Sequence, residues 1–142
     1  MVTFTIEFAS AIPDVQELGA PAMRGRLRTD TEQLTFLAPL NAWARADYER
    51  QWKDGCLRLA RGHPSSALLT SVQDPSTGDY DAVMFELFVD GDDILICERH
   101  LLDAAPWREP SDLYRLVADS PKPDVVSARC SRADVVGFGR AG

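Results

Sequence analysis

With 142 residues, 45% apolar and 26% charged, the chain has ordinary globular composition, which excludes intrinsic disorder and fits one domain burying about 68% of its unfolded surface. A net charge of −7 repels phosphate backbones, so a broad nucleic-acid-binding surface is excluded and a basic partner is favoured. No apolar run approaches ~20 residues and the N-terminus carries no basic leader, so the sequence predicts a mature cytoplasmic protein that does not enter a membrane.

Residues 2–8 alternate Val2, Phe4, Ile6 and Phe8 against Thr3, Thr5 and Glu7, the period of a strand with one buried face. A stretch containing Pro13, Gly19 and Pro21 reads as a loop. Residues 23–29 alternate again, with Arg24, Arg26 and Arg28 on one face. Residues 34–37 form a third strand, joined to the second through a turn at Asp30-Thr31.

From Asp47 to Arg61, Tyr48, Trp52, Cys56, Leu59 and Ala60 recur at spacings of three and four, while Glu49, Arg50, Lys53, Asp54 and Arg58 fall on other faces. That is an amphipathic helix packed on a sheet. Gly62 and His63-Pro64 stop it, and Gly55 inside it costs about 1 kcal/mol relative to alanine. Trp43, Tyr48 and Trp52 read as core and not as a platform for sugars or bases, because aromatic side chains dominate packing energetics.

Residues 66–72 are mostly apolar and end in the turn chemistry of Asp74-Pro75 and Gly78-Asp79. Two apolar runs, 82–89 and 94–97, flank Asp90-Gly91-Asp92, the pattern of a tight antiparallel hairpin. Residues 83–89 are apolar on both faces, as in a central strand covered on each side. Pro106, Trp107, Pro110, Pro121 and Pro123 surround a short helix at 111–117 with Ser111 as its N-cap. Residues 124–130 return as a last strand, followed by a turn or short helix ending near Phe138. Residues 1–142 thus read as a single α+β domain: a mostly antiparallel sheet, one main helix packed on it and a short second helix.

Candidate chemistry is sparse. Cys56, Cys97 and Cys130 form no C-x-x-C pair and no even set, so they read as buried, reduced thiols. His63 and His100 are the only imidazoles. Cys97 precedes His100 by three, which on a strand sends the two side chains to opposite faces and separates a nucleophile from its base. Asp90, Asp92 and Asp93 lack the glycine and distal glutamate of a calcium loop. No phosphate-binding loop, dinucleotide fingerprint, nucleophile elbow or zinc-protease pair occurs. The sequence therefore predicts no catalytic residue, no cofactor and no metal.

Charge is unevenly distributed. From Gly62 to Glu98 there is no Lys or Arg, while Asp74, Asp79, Asp81, Glu86, Asp90, Asp92, Asp93 and Glu98 fall there. Such a stretch is either a solvated acidic edge or a face for a basic partner.

Trp43, the helical pattern Tyr48, Gln51 and Trp52, the Asp74-Pro75 turn, the Asp90-Gly91-Asp92 hairpin and the Leu101-Leu102 pair together resemble the immunity proteins of bacterial contact-dependent growth inhibition systems. The resemblance covers roughly residues 40–102, with an echo at Asp134-Val135 and Phe138. It departs from the family pattern at Val83, Met84 and Phe85, at Cys97-Glu98-Arg99-His100, and at Arg129 in place of a late tryptophan. It implies a non-enzymatic, CdiI-like protein whose partner is the C-terminal domain of a cognate toxin, a basic domain and a nuclease. Asp79, Asp81, Asp90, Asp92, Asp93 and Glu98 are then the expected interface. Composition alone fits a binding module for some other basic protein equally well, and an enzyme would require a deep pocket gathering His63 or His100 with a carboxylate.

Overall fold

In a computed structural model the described residues are 4–15, 20–40, 42–72, 82–101, 109–119 and 125–141. The chain runs β1 (Thr5–Val15), β2 (Ala20–Arg28), β3 (Gln33–Pro39), α1 (Arg45–Ala60), β4 (Ser65–Val72), β5 (Ala82–Asp90), β6 (Asp93–Leu101), α2 (Pro110–Asp119), β7 (Ala128–Ser131) and α3 (Arg132–Arg140). The strands form two antiparallel sheets, ordered β1-β2-β3 and β4-β5-β6-β7. The expected single sheet is therefore two. The hairpin at Asp90-Gly91-Asp92 forms as predicted, with Asp90 opposite Asp93, and β5 is an interior strand buried on both faces.

The division into two sheets has a physical cause in α1. An edge strand exposes a row of unpaired peptide groups, and β4 is the edge of its sheet. Side chains of α1 occupy that row. The Gln51 amide acts as a neighbouring strand's peptide would: Nε2 donates to the Ala67 carbonyl at 2.8 Å and Oε1 accepts from the Leu69 N–H at 2.6 Å. Trp52 Nε1 donates to the Leu69 carbonyl at 2.7 Å. The Tyr48 hydroxyl accepts from Val72 N–H at 3.0 Å and donates to the Pro39 carbonyl at 2.8 Å, joining the ends of β4 and β3.

This arrangement depends on two local irregularities. The register with β5 slips between Leu69 and Ser71, a bulge that switches the outward-facing peptide groups from odd to even positions and lets Val72 meet Tyr48. Gly55 lets the helix lie against the strand. A Cβ there would collide with the Ala67 carbonyl oxygen and stand 2.9 Å from Leu68 Cδ2, so the glycine that weakens the helix permits its docking. Ser66 Oγ fastens the contact by donating to the Gly55 carbonyl at 2.6 Å.

Tyr48 and Trp52 are fully buried, and Trp52 also packs on Phe8 and Phe36 of the first sheet, with ring centroids 4.8 and 5.8 Å apart. It thereby touches both sheets. Phe36 in turn covers Gly25 on the neighbouring strand. On the first sheet's outer face Glu7 pairs with Arg26 at 3.0 Å and Arg28 at 3.5 Å. At the other end of α1, Gly139 of α3 lies against Cys56, and Lys53 Nζ donates to the Phe138 and Ala141 carbonyls.

Two further expectations need correction. Pro13 and Pro21 do not sit in a loop, because β1 reaches Val15 and β2 begins at Ala20. Pro13 falls in a register shift between Ile12 and Val15, where a missing N–H breaks no ladder bond. Ser111 is not the N-cap of α2, which begins at Pro110, a residue suited to the first helical position because its absent N–H would be unpaired there anyway. The cap is made at Glu109, whose N–H donates to Asp112 Oδ2 at 3.2 Å. The last helix is a full element of nine residues, capped by Ser131. All three cysteines are buried, and burial pushes the Cys130 thiol up to about 12, which agrees with inert thiols.

Replacing Gln51 by leucine removes the groups that satisfy Ala67 O and Leu69 N. Urea unfolding should show a loss of about 3 kcal/mol, the scale of two buried peptide groups left unpaired. A loss below about 0.5 kcal/mol would contradict the edge-capping role.

Glu86 offers a pH test. Its side chain is 1% exposed and pairs with Arg99 at 3.2 Å, yet burial outweighs the arginine and raises its carboxyl above the usual value. A raised folded value gives stability that is complete at low pH and lost as pH rises through that value. Relative to Glu86→Gln, which has no proton to lose, the wild type should therefore lose stability as pH rises above about 4, where the unfolded chain's carboxyl ionises first. A gap in melting temperature that is constant or moves the other way would refute this.

Candidate interaction surface

The acidic turn is built by the backbone. Gly91 adopts φ +63°, a left-handed conformation that favours glycine, and this brings Asp90 and Asp93 opposite one another. Arg129 of β7 reaches both, Nη1 lying 2.9 Å from Asp93 Oδ2 and Nη2 3.2 Å from Asp90 Oδ2. Asp92 is exposed and has no side-chain partner among the described residues. Its carbonyl accepts from Arg132 N–H at 2.7 Å, tying the turn to the start of α3. Two of the three turn carboxylates thus share one guanidinium, and the tip keeps a net negative charge.

Glu98 lies elsewhere. Five residues beyond Asp93 along β6, it is about 17 Å away at 3.4 Å per residue. The odd offset also places it on the opposite face. Its Oε1 is 2.8 Å from His100 Nε2, and both side chains are about half exposed, 45% and 57%. Phe85 stands across from Glu98 and Val83 from His100. These four side chains, with Thr35, Phe36 and Leu37 of β3 and Thr70 and Ser71 of β4, line a cleft of about 220 Å³. Consecutive residues of a strand point to alternate faces, so a cavity touching Thr35, Phe36 and Leu37 runs along the edge of β3.

The six expected interface residues therefore do not form one flat patch. Asp90, Asp92 and Asp93 gather at the tip, Glu98 sits in the cleft on the other face, and Asp79 and Asp81 lie outside the described residues. Glu86 of the same acidic stretch is buried with Arg99. Cys97 faces away from His100, as its offset requires: Cys97 is opposite Glu86 and His100 opposite Val83. His63 is exposed in the turn after α1. The cleft does bring His100 to a carboxylate beside hydroxyl groups. Among the described residues, however, none of its hydroxyls hydrogen-bonds His100, and the Thr70 hydroxyl is spent on the Val83 carbonyl at 3.0 Å, so no nucleophile and base are paired.

Sequence reasoning did not find the cleft, because its walls come from β3, β4 and the β5–β6 hairpin and meet only through the α1 docking. Nor did it find the part played by Arg129, since that depends on the register of β7 against β6.

Comparison with known proteins follows the same elements. A solved structure described as a CdiA-CT/CdiI toxin and immunity complex from Enterobacter cloacae contains a chain of the same fold, with a TM-score of 0.79 at 15% sequence identity, covering 96% of this chain and 95% of that one. No curated protein matches in sequence. The family model of the CdiI N-terminal domain matches residues 38–131, from the end of β3 through α1 and its capped strand to β7. With about two thirds of its length matched in this way, the chain belongs to the CdiI N-terminal domain family.

Proposed function

We propose that this protein is an immunity protein: it binds the toxin domain of a contact-dependent growth inhibition system in the cytoplasm and neutralises it by occlusion, not by catalysis. Family membership over residues 38–131 is the observation that carries this reading. The fold shared with a chain of a toxin and immunity complex supports it. The toxin is a basic domain, a nuclease whose cation-lined groove for nucleic acid attracts carboxylates. The acidic stretch, with Asp90, Asp92 and Asp93 at its tip and Asp79, Asp81 and Glu98 in the same run, supplies the field that draws it in. Exposed rim charges of this kind act on the encounter rate more than on the lifetime of the complex.

Co-expression with the toxin domain encoded beside this gene tests the reading. Wild type should restore growth, and association of the purified proteins should slow roughly ten-fold or more between low and high salt, because screening shortens the reach of the field. Asp90→Lys, Asp92→Lys and Asp93→Lys combined should slow association at low salt and leave dissociation nearly unchanged. No protection by wild type would refute the immunity reading. A folded triple variant that associates as fast as wild type at every salt concentration would remove the acidic tip from the account.

A further inference from the structure

We infer that the cleft beside β3 is the specificity pocket of the toxin-binding surface and takes one arginine side chain of the toxin, whose guanidinium pairs with Glu98. The inference rests on the immunity reading and adds the point of engagement.

Size limits the occupant first. About 220 Å³ lies below the roughly 300–1,000 Å³ of pockets that hold cofactors or small-molecule ligands, but it admits one long side chain. The lining then sets the chemistry. Phe36, Leu37, Val83 and Phe85 form an apolar wall, and the Phe36 and Phe85 rings meet at 6.1 Å, which suits an alkyl stem and a flat cation stacked on an aromatic face. Thr35, Thr70 and Ser71, each carrying a hydroxyl, also line this space. Each can accept from a donor, and a guanidinium carries five.

Charge decides between an arginine and a neutral side chain. Four other strand carboxylates are met by fixed cations: Glu7 by Arg26 and Arg28, Glu86 by Arg99, Asp90 and Asp93 by Arg129. Among the described residues Glu98 has only the His100 imidazole as a side-chain partner, bound through Oε1, and its Oε2 has none. The Glu98 carboxylate therefore stands at the mouth of the pocket with one oxygen unengaged. An arginine entering along the apolar wall meets Oε2 with a charge-assisted hydrogen bond that strengthens as the interface closes and water leaves.

The pocket and the acidic tip then differ kinetically, which separates this inference from the previous one. Binding of the adjacent toxin domain to wild type, Glu98→Gln, His100→Lys and His100→Gln should be followed by surface plasmon resonance at fixed salt. Glu98→Gln should raise Kd about ten-fold or more through faster dissociation. His100→Lys should weaken binding comparably, because its ammonium takes the carboxylate internally, whereas His100→Gln should remain close to wild type. Both side chains are exposed enough for the variants to leave the fold intact, and circular dichroism checks this. A toxin arginine replaced by glutamate and rescued by Glu98→Arg would identify the partner residue. If wild type binds and Glu98→Gln dissociates at the same rate, the pocket inference is overturned while the immunity reading stands; if wild type does not bind, both are overturned.

Discussion

The hydrogen bonding of the β4 edge by Tyr48, Gln51 and Trp52 is the constraint on which the rest of this structure depends. A sheet edge inside a domain must have its peptide groups satisfied, since an unpaired one costs about 1–3 kcal/mol. Here a helix supplies the partners that a fifth strand would otherwise provide. Gly55 allows the approach, the slip between Leu69 and Ser71 aligns the peptide groups, and Trp52 carries the contact across to Phe8 and Phe36. Because α1 holds this edge, β3 cannot extend the second sheet, and the cleft along Thr35–Leu37 stays open beside it.

Much of the fold was legible in the sequence. The period-two run through Phe8, the run at 83–89 apolar on both faces, the Asp-Gly turn and the Tyr48–Leu59 stripe each declare an element through local chemistry that the tertiary structure respects. Legibility failed where a tertiary contact overruled a local signal. Pro13 and Pro21 read as loop markers but lie within strands, one at a register shift and one near a strand start. Gly55 read as a weakness of the helix, and its value appears only when β4 lies against it. The two-sheet division was invisible because it depends on side chains of a helix replacing a strand, an arrangement that no periodicity encodes.

The site was less legible than the fold. Counting carboxylates between Gly62 and Glu98 locates the acidic stretch but not its faces, and structure sorts those residues into four environments. Glu86 is buried in an ion pair, Asp90 and Asp93 share Arg129, Asp92 is exposed, and Glu98 stands in a cleft. Among the described residues of the stretch, only the last two remain available to a partner's cation without competition from an arginine of the same chain. In the proposed function they divide the labour: the turn contributes to a long-range field, and the cleft makes a short-range, desolvated contact. Tyr48, Gln51 and Trp52 belong to the scaffold, and on that proposal recognition falls to residues such as Glu98 and His100.

The central claim, that the helix seals the β4 edge as a strand would, is tested most directly by native-state hydrogen exchange at two amides. Leu69 N–H and Val72 N–H point away from β5 and are held by the Gln51 and Tyr48 side chains. The account predicts that they exchange as slowly as the interior amides of β5, opening only with global unfolding. Exchange of either amide at the rate of an exposed edge strand would contradict it.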